Sequence, residues 1–134
     1  MKAIITDKAP AAIGPYSQGV RSLFSQQGQM IFVSGQLPID PENGEFKEGC
    51  IRCKARQSLT NIKHILEAGG FTMKDVVKVT IYLTDINDFS AVNEVYGDFF
   101  EEPYPARSAF AVSALPKNAP IEIEAIAVKE VSDK

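Results

Sequence analysis

Two segments of the chain repeat hydrophobic residues every three or four positions, the period of an α-helix. In the first segment these residues are Ile51, Ala55, Leu59, Ile62 and Leu66. We predict a helix from about Cys50 to Ala68, ended by Gly69-Gly70, because glycine readily takes the left-handed conformation that closes a helix.

The second helix is predicted from about Phe89 to Phe100. Its buried face would contain the hydrophobic residues Phe89, Val92, Val95, Tyr96 and Phe99. Both helices are therefore amphipathic, with one side facing a core.

In the rest of the chain, short runs of β-branched or aromatic residues alternate with segments that contain Gly, Pro and Asn. This pattern is typical of strands joined by turns. We predict strands near 3–5, 16–24, 30–33, 76–83, 108–114 and 121–131, with the last two joined as a hairpin by the loop 116–120. The order of elements predicts an α+β fold with two helices on one face of a sheet.

The predicted strands 30–33 and 76–83 are apolar on both faces. Strict alternation would put Val77 with Val79, Ile81 and Leu83 on one face, and Val76, Thr80 and Tyr82 on the other. Because two helices cover only one face, we expect a second copy of the chain to cover the opposite one. The sequence therefore predicts a homo-oligomer.

Composition restricts the function classes. The 134 residues suit one domain, 1–134, with 45% hydrophobic and 23% charged residues and a net charge of -3. A nucleic-acid partner is not expected, because such proteins usually carry a basic patch and no Lys/Arg cluster is present. Two cysteines and one histidine are too few for a typical zinc site, and we expect neither a metal nor another cofactor. With no long apolar run at the start or elsewhere, we expect a soluble, cytosolic protein with reduced thiols.

Arg107 is the first candidate for chemistry. It opens a predicted strand of small and apolar residues, and the segment between Glu102 and Glu122 contains no acidic residue that could pair with it. A guanidinium matches a carboxylate through two parallel hydrogen bonds. The alternative is a surface arginine at a strand end, since long charged side chains are usually exposed.

Glu122 is the second candidate. Alternation places Glu122 and Glu124 on the same strand face as Ile126 and Val128, so this face changes from acidic to apolar. Partial burial raises the pKa of a carboxyl group and suits it to proton transfer, although a solvated strand face would show the same pattern. A hairpin centred near Lys117 would pair position 107 with 126 or 127, leaving Glu122 too far from Arg107 within one chain. A site that uses both is therefore expected to span two subunits.

Cys50-Ile51-Arg52-Cys53 forms a CxxC motif. A zinc site would need a second Cys/His pair, which the sequence lacks. A thioredoxin-like redox motif would need a strand directly before it, and none is predicted there. We interpret it as two thiols at a helix end.

Several sequence blocks together resemble the Rid family, the reactive intermediate deaminases also called the YjgF family, and most closely its RidA subfamily. They are AIGPYSQG at 12–19, FVSGQLP at 32–38, ARQSL at 55–59, DFSAVN at 88–93 and PARS at 105–108, followed by LPK at 115–117 and IEIEAIA at 121–127. These blocks occur in order over nearly the whole chain.

The resemblance implies a chorismate-mutase-like α+β fold, assembled as a homotrimer with ligand clefts between subunits. The implied activity is hydrolysis of 2-aminoacrylate and 2-iminobutanoate, released by pyridoxal-phosphate dehydratases, to 2-keto acids and ammonia, without a cofactor. By position, Arg107 would bind the substrate carboxylate and Glu122 would position or deprotonate the attacking water. The residues implied to line the cleft beside them are Tyr16, Ser34, Gly35 and Asn93.

The sequence also departs from the family. Ala109 stands where many relatives have cysteine, which argues against a thiol nucleophile at that position. Two alternatives remain open: a module that binds small carboxylates to regulate a partner, and an endoribonuclease or translation inhibitor, which the acidic net charge disfavours.

Overall fold

The computed structural model of the protein describes residues 1–130 as a mixed β-sheet and two helices. The strands are β1 (Lys2–Ile4), β2 (Gly19–Leu23), β3 (Gly28–Gln36), β4 (Ile39–Asp40), β5 (Glu45–Phe46), β6 (Val76–Leu83), β7 (Ala106–Ala111) and β8 (Ile121–Glu130), and the helices are α1 (Ile51–Ala68) and α2 (Phe89–Tyr96). Six strands form one sheet in the order β1-β2-β3-β8-β6-β7, and β4 pairs with β5 separately. The predicted final residue of the last strand, Val131, lies outside the described residues.

Helix α1 ends as its sequence predicts. The amide of Gly70 donates to the carbonyl of Glu67 at 3.0 Å, and that of Phe71 donates to Leu66 at 2.9 Å. This is a Schellman motif, in which the residue after the cap takes a left-handed conformation. Gly70 does so, with φ +82°.

The main core lies between the helices and one face of the sheet. Its fully buried members include Leu59, Ile62 and Leu66 from α1, and Ile81 and Ile123 from the central strands. The predicted α+β class, with two helices on one sheet face, is confirmed. None of the helices in the described part of the chain is long and apolar enough to cross a membrane.

Strand β7 does not form the predicted hairpin with β8. It pairs in parallel with β6 at the edge of the sheet, so that Arg107 lies opposite Val79 and not opposite position 126 or 127. The segment containing α2 makes the crossover between the two parallel strands, as such pairs require. Strand β8 instead lies between β3 and β6. Every second residue of β8 up to Ala127, on the face towards the helices, is apolar, which suits a strand at the centre of the sheet.

A bulge in β6 makes the predicted alternation wrong for the first residues of this strand. The pairing with β8 shifts between Val76 and Lys78. As a result Val76 is buried on the helix side, whereas Val77 is 45% exposed. The extra residue of a β-bulge reverses the faces on one side of it, and from Val79 onward the predicted alternation is confirmed.

The sheet face away from the helices carries exposed aromatic side chains. Phe32 and Phe110 are 43% and 45% exposed. Tyr82 lies against Phe110, with ring centroids 5.4 Å apart and ring planes nearly perpendicular. The prediction of an apolar face that the helices leave uncovered is therefore confirmed for the single chain.

Candidate active site

A cleft of about 740 Å³ opens at the end of β3 and the beginning of β8. Four of the six predicted site residues line it: Tyr16, Ser34, Gly35 and Glu122. The pairing of β3 with β8 is irregular between Val33 and Gln36, so Ser34 and Gly35 lie at a bulge beside the glutamate. Bulges often redirect side chains next to functional sites.

Gly35 leaves the space that the Glu122 side chain occupies. A β-carbon added at Gly35 would lie 2.8 Å from Cδ of Glu122, far inside ordinary contact. The backbone of Gly35 is not in the left-handed region. The glycine is therefore required here by close packing against the carboxylate.

The Glu122 carboxyl is half-buried in this cleft. Its pKa is raised above the ordinary value, first by burial and then by the negative charge of Glu124 on the same strand face. Such a group holds a proton more strongly than a solvated glutamate, and it can accept and return a proton nearer to neutral pH.

Part of the cleft lining is apolar and is held by hydrogen bonds from α1. Leu37 and Ile39 line it, and the side chain of Asn61, fully buried on α1, donates to their backbone carbonyls at 3.3 and 2.9 Å. Ser34, another lining residue, donates its hydroxyl to the carbonyl of Ser17 at 2.5 Å. The sequence pattern did not predict Leu37, Ile39 or Asn61 as part of the site.

Arg107 and Asn93 form a second group outside this cleft. Nη1 of Arg107 donates to Oδ1 of Asn93 at 2.7 Å. The guanidinium lies over the ring of Tyr96, 4.6 Å from its centroid, and 5.2 Å from that of Phe89. Burial raises the pKa of Tyr96 to about 12, against a smaller lowering by the Arg107 charge, so the phenol stays neutral beneath the cation.

This aromatic support could have been found in the sequence. Phe89, Asn93 and Tyr96 are spaced four and three residues apart on α2, so they share one helix face. Arg107 itself is exposed, and among the described residues it makes no ion pair. Because Asn93 occupies only one of its donor groups, the other N–H groups remain free for an anionic ligand.

Arg107 and Glu122 project from opposite faces of the sheet. Arg107 pairs with Val79, which is buried under the helices, whereas Glu122 pairs with Tyr82 on the uncovered face. Residues directly opposite each other on neighbouring strands point the same way. One chain therefore cannot bring the two side chains to one small ligand, and the structure yields two half-sites. We name them the acid cleft (Tyr16, Ser34, Gly35, Glu122) and the arginine shelf (Phe89, Asn93, Tyr96, Arg107).

A larger groove of about 1000 Å³ runs between α1 and the segment 97–105. Its lining includes two ion pairs, Arg56 with Asp98 at 2.8 Å and Lys74 with Glu101 at 3.6 Å. These charges neutralise each other across the groove, and neither half-site contributes to it. No group of three or more His, Cys, Asp or Glu side chains within residues 1–130 is arranged to hold a metal ion.

Comparisons with known proteins agree with this architecture. The family model described as Endoribonuclease L-PSP matches residues 6–129. The chain is 53% identical over 129 residues to a RutC family protein of Pyrococcus horikoshii, covering 96% of this chain and 98% of that protein. It is 52% identical over 128 residues to the 2-iminobutanoate/2-iminopropanoate deaminase of Bos taurus, covering 96% and 90%. The crystal structure of Escherichia coli TdcF with bound serine superimposes with a TM-score of 0.87 at 48% identity, covering 96% and 99%.

Proposed function

Because the chain belongs to the Rid family, also called the YjgF family, we propose that it is an imine deaminase, a hydrolase that converts small 2-imino acids to 2-keto acids and ammonia. Relatives at about half identity are named as deaminases of 2-iminobutanoate and 2-iminopropanoate, which supports this class of enzyme. The substrates that we propose are 2-aminoacrylate, through its imine form, and 2-iminobutanoate.

The arginine shelf fits the carboxylate that these substrates share. The free N–H groups of Arg107 would donate to it, while Asn93 and the ring of Tyr96 hold the guanidinium in place. A planar guanidinium held in this way loses little freedom on binding.

The acid cleft fits the rest of the reaction. Glu122 would accept a proton from a water molecule as its oxygen adds to C2 of the protonated imine. It would then return the proton to nitrogen and accept the proton of the new hydroxyl group, so that the C=O bond forms as the C–N bond breaks and ammonia leaves. The apolar wall of Leu37 and Ile39 suits a short alkyl side chain. Positioning supplies much of the acceleration, and proton transfer adds typically about 10²–10⁴-fold.

We further propose that the complete site forms between two protomers, in a cytoplasmic homotrimer of the kind that the family resemblance implies. The observation that carries this proposal is the separation of Arg107 and Glu122 on opposite faces of the sheet. The exposed Phe32 and Phe110 give the uncovered face apolar surface that an interface would bury.

Mixing of inactive variants tests the proposal. Arg107→Ala and Glu122→Gln should each lose activity towards imines released by an amino-acid oxidase, with semicarbazide as the competing trap. Coexpressed in equal amounts, they should recover about a quarter of the wild-type activity, since one interface in four receives an intact arginine from one protomer and an intact glutamate from the other.

The matched control is Arg107→Ala coexpressed with the double variant Arg107→Ala/Glu122→Gln, in which no protomer supplies the arginine. This mixture should stay inactive. If the first mixture also stays inactive while its sedimentation matches that of the wild type, the shared site is refuted.

The same assay separates imine hydrolysis from the two alternatives. Tight binding of a 2-keto acid without accelerated ammonia release would indicate a regulatory binding module. The description of the matching family model also names an endoribonuclease. RNA cleavage lost in Arg107→Ala, together with unchanged imine lifetimes, would indicate that activity, although the net charge of -3 disfavours a polyanionic substrate.

A further inference from the structure

The CxxC motif lies at the N-terminus of α1, outside both half-sites. Cys50 is the N-cap residue, with an extended backbone, and Cys53 lies in the first turn. Both thiols are exposed, and their Sγ atoms are 3.9 Å apart. The prediction of two helix-end thiols is confirmed, and the structure adds that they face each other.

The backbone around the two residues is compatible with a disulfide. Side chains three apart on a helix have β-carbons roughly 5–6 Å apart, and a disulfide needs about 3.5–4.5 Å, a difference that the non-helical Cys50 can absorb. Gly49, with φ +107°, leaves space beside Cys53, whose Sγ lies 3.1 Å from the position where a β-carbon of residue 49 would be. The Cys53 thiol can therefore rotate towards Cys50 without meeting a side chain at position 49.

The end of α1 also favours a negatively charged sulfur. Cys50 makes no side-chain capping hydrogen bond, and the first turn contains no acidic residue that would balance the helix dipole. The neutral thiol makes no such bond, but hydrogen bonds that the backbone amides of Cys53 and Arg52 would donate to a Cys50 thiolate lower its pKa. A thiolate at this position would act as the missing N-cap, and thiolates are the reactive form of cysteine.

We propose that Cys50 and Cys53 form a reversible dithiol–disulfide couple that exchanges with small-molecule disulfides. The Cys50 thiolate attacks one sulfur of the small disulfide, forms a mixed disulfide and expels the first small thiol. The Cys53 sulfur then attacks Sγ of Cys50, forms the intrachain disulfide and expels the second small thiol. The protein loses two electrons and two protons, and the small disulfide gains both.

The test uses the full chain and oxidised glutathione, with intact-mass measurement after acid quenching. The wild type should lose the mass of two hydrogen atoms and both titratable thiols, without retaining glutathione, and dithiothreitol should reverse the change. Cys53→Ser should stop at a stable mixed disulfide on Cys50. Cys50→Ser should react at least tenfold more slowly, because Cys53 lacks the N-cap position.

Three outcomes would overturn the proposal. The first is a wild-type protein that keeps two free thiols in excess oxidised glutathione. The second is a stable glutathione adduct on the wild type, which would show that Cys53 does not resolve it. The third is a disulfide between chains, visible as a covalent dimer on a non-reducing gel. Circular dichroism of both serine variants would verify that α1 still folds.

Discussion

Gly35→Ala should reduce activity while leaving the fold intact. The substitution places a methyl group where the Glu122 side chain now lies, with Cδ 2.8 Å from the new β-carbon. The backbone at Gly35 does not require glycine for its conformation. The obstacle is thus the end of a flexible side chain, which can turn away into the cleft at little expense in stability.

The size of the effect follows from the displacement. Ordinary contact begins near 3.4 Å, so the carboxylate must retreat by about 0.6 Å or more, and a misplacement of about 1 Å can reduce catalysis about 10²-fold. We expect kcat to fall roughly 10–100-fold. KM should change less, because the arginine shelf that would hold the substrate carboxylate is untouched.

Gly97→Ala is the matched control. Gly97 has helical backbone angles, with φ -62° and ψ -20°, and an added β-carbon would lie no closer than 3.4 Å to its nearest neighbour. This variant should keep its activity and its melting temperature. The assay is imine hydrolysis against semicarbazide trapping, with thermal unfolding measured on the same samples. A Gly35→Ala enzyme with wild-type kcat would refute the placement of Glu122 at the reacting atoms.

Three further predictions concern other parts of the site. Arg107→Ala should reduce kcat/KM at least a hundredfold, because two charge-assisted hydrogen bonds of about 1.5–3 kcal/mol each are lost. Arg107→Lys should restore only part of the lost activity. Near-normal turnover in the alanine variant would contradict the role of Arg107 in binding the substrate carboxylate. Glu124→Gln removes a charge that raises the pKa of Glu122. On the acidic side of the pH profile, kcat/KM rises as Glu122 deprotonates, so this rise should move to lower pH in the variant. A rise at the same pH as in the wild type would contradict the assignment of Glu122 as the base. Asn61→Ala leaves the Leu37 and Ile39 carbonyls without their hydrogen-bond donor. It should therefore lower the free energy of unfolding, measured by urea titration, by about 1–3 kcal/mol. An unchanged midpoint of the urea transition would show that water replaces the missing amide donor.

A raised pKa also has a consequence for stability. Because the native state holds the Glu122 proton more tightly than the unfolded chain does, stability should fall as pH rises from the unfolded pKa to the native pKa. In Glu122→Gln this part of the fall should be absent. Melting temperatures of both proteins across the acidic range measure the difference.

The sequence predicted the elements whose physics is local. The period of α1 and its glycine stop are properties of consecutive residues, and both are confirmed by the Schellman geometry at Gly70. The predicted end of the second helix at Phe100 was too late. α2 ends at Tyr96, because the amide of Asp98 donates to Val95 and that of Phe99 to Tyr96, in tighter turns.

The errors came from long-range pairing. No local sequence pattern near Arg107 indicates that β7 pairs with β6 rather than with β8. The pairing depends on which strand is buried at the centre of the sheet, and this is decided by residues far away in the sequence. The bulge at Val76–Lys78 is similarly invisible to strict alternation. The predicted site residues fall into two half-sites, and their separation follows from a topology that was predicted incorrectly. The expectation of a site spanning two subunits stays a prediction, now supported by the opposite faces of Arg107 and Glu122.

Placing Arg107 and Glu122 on opposite faces would make catalysis depend on the amount of protein present. A chain just released from the ribosome would carry both groups yet turn nothing over until it met its partners. Specific activity would then decline on dilution below the dissociation constant of the complex, and a cell expressing too little of the protein would gain almost none of its benefit.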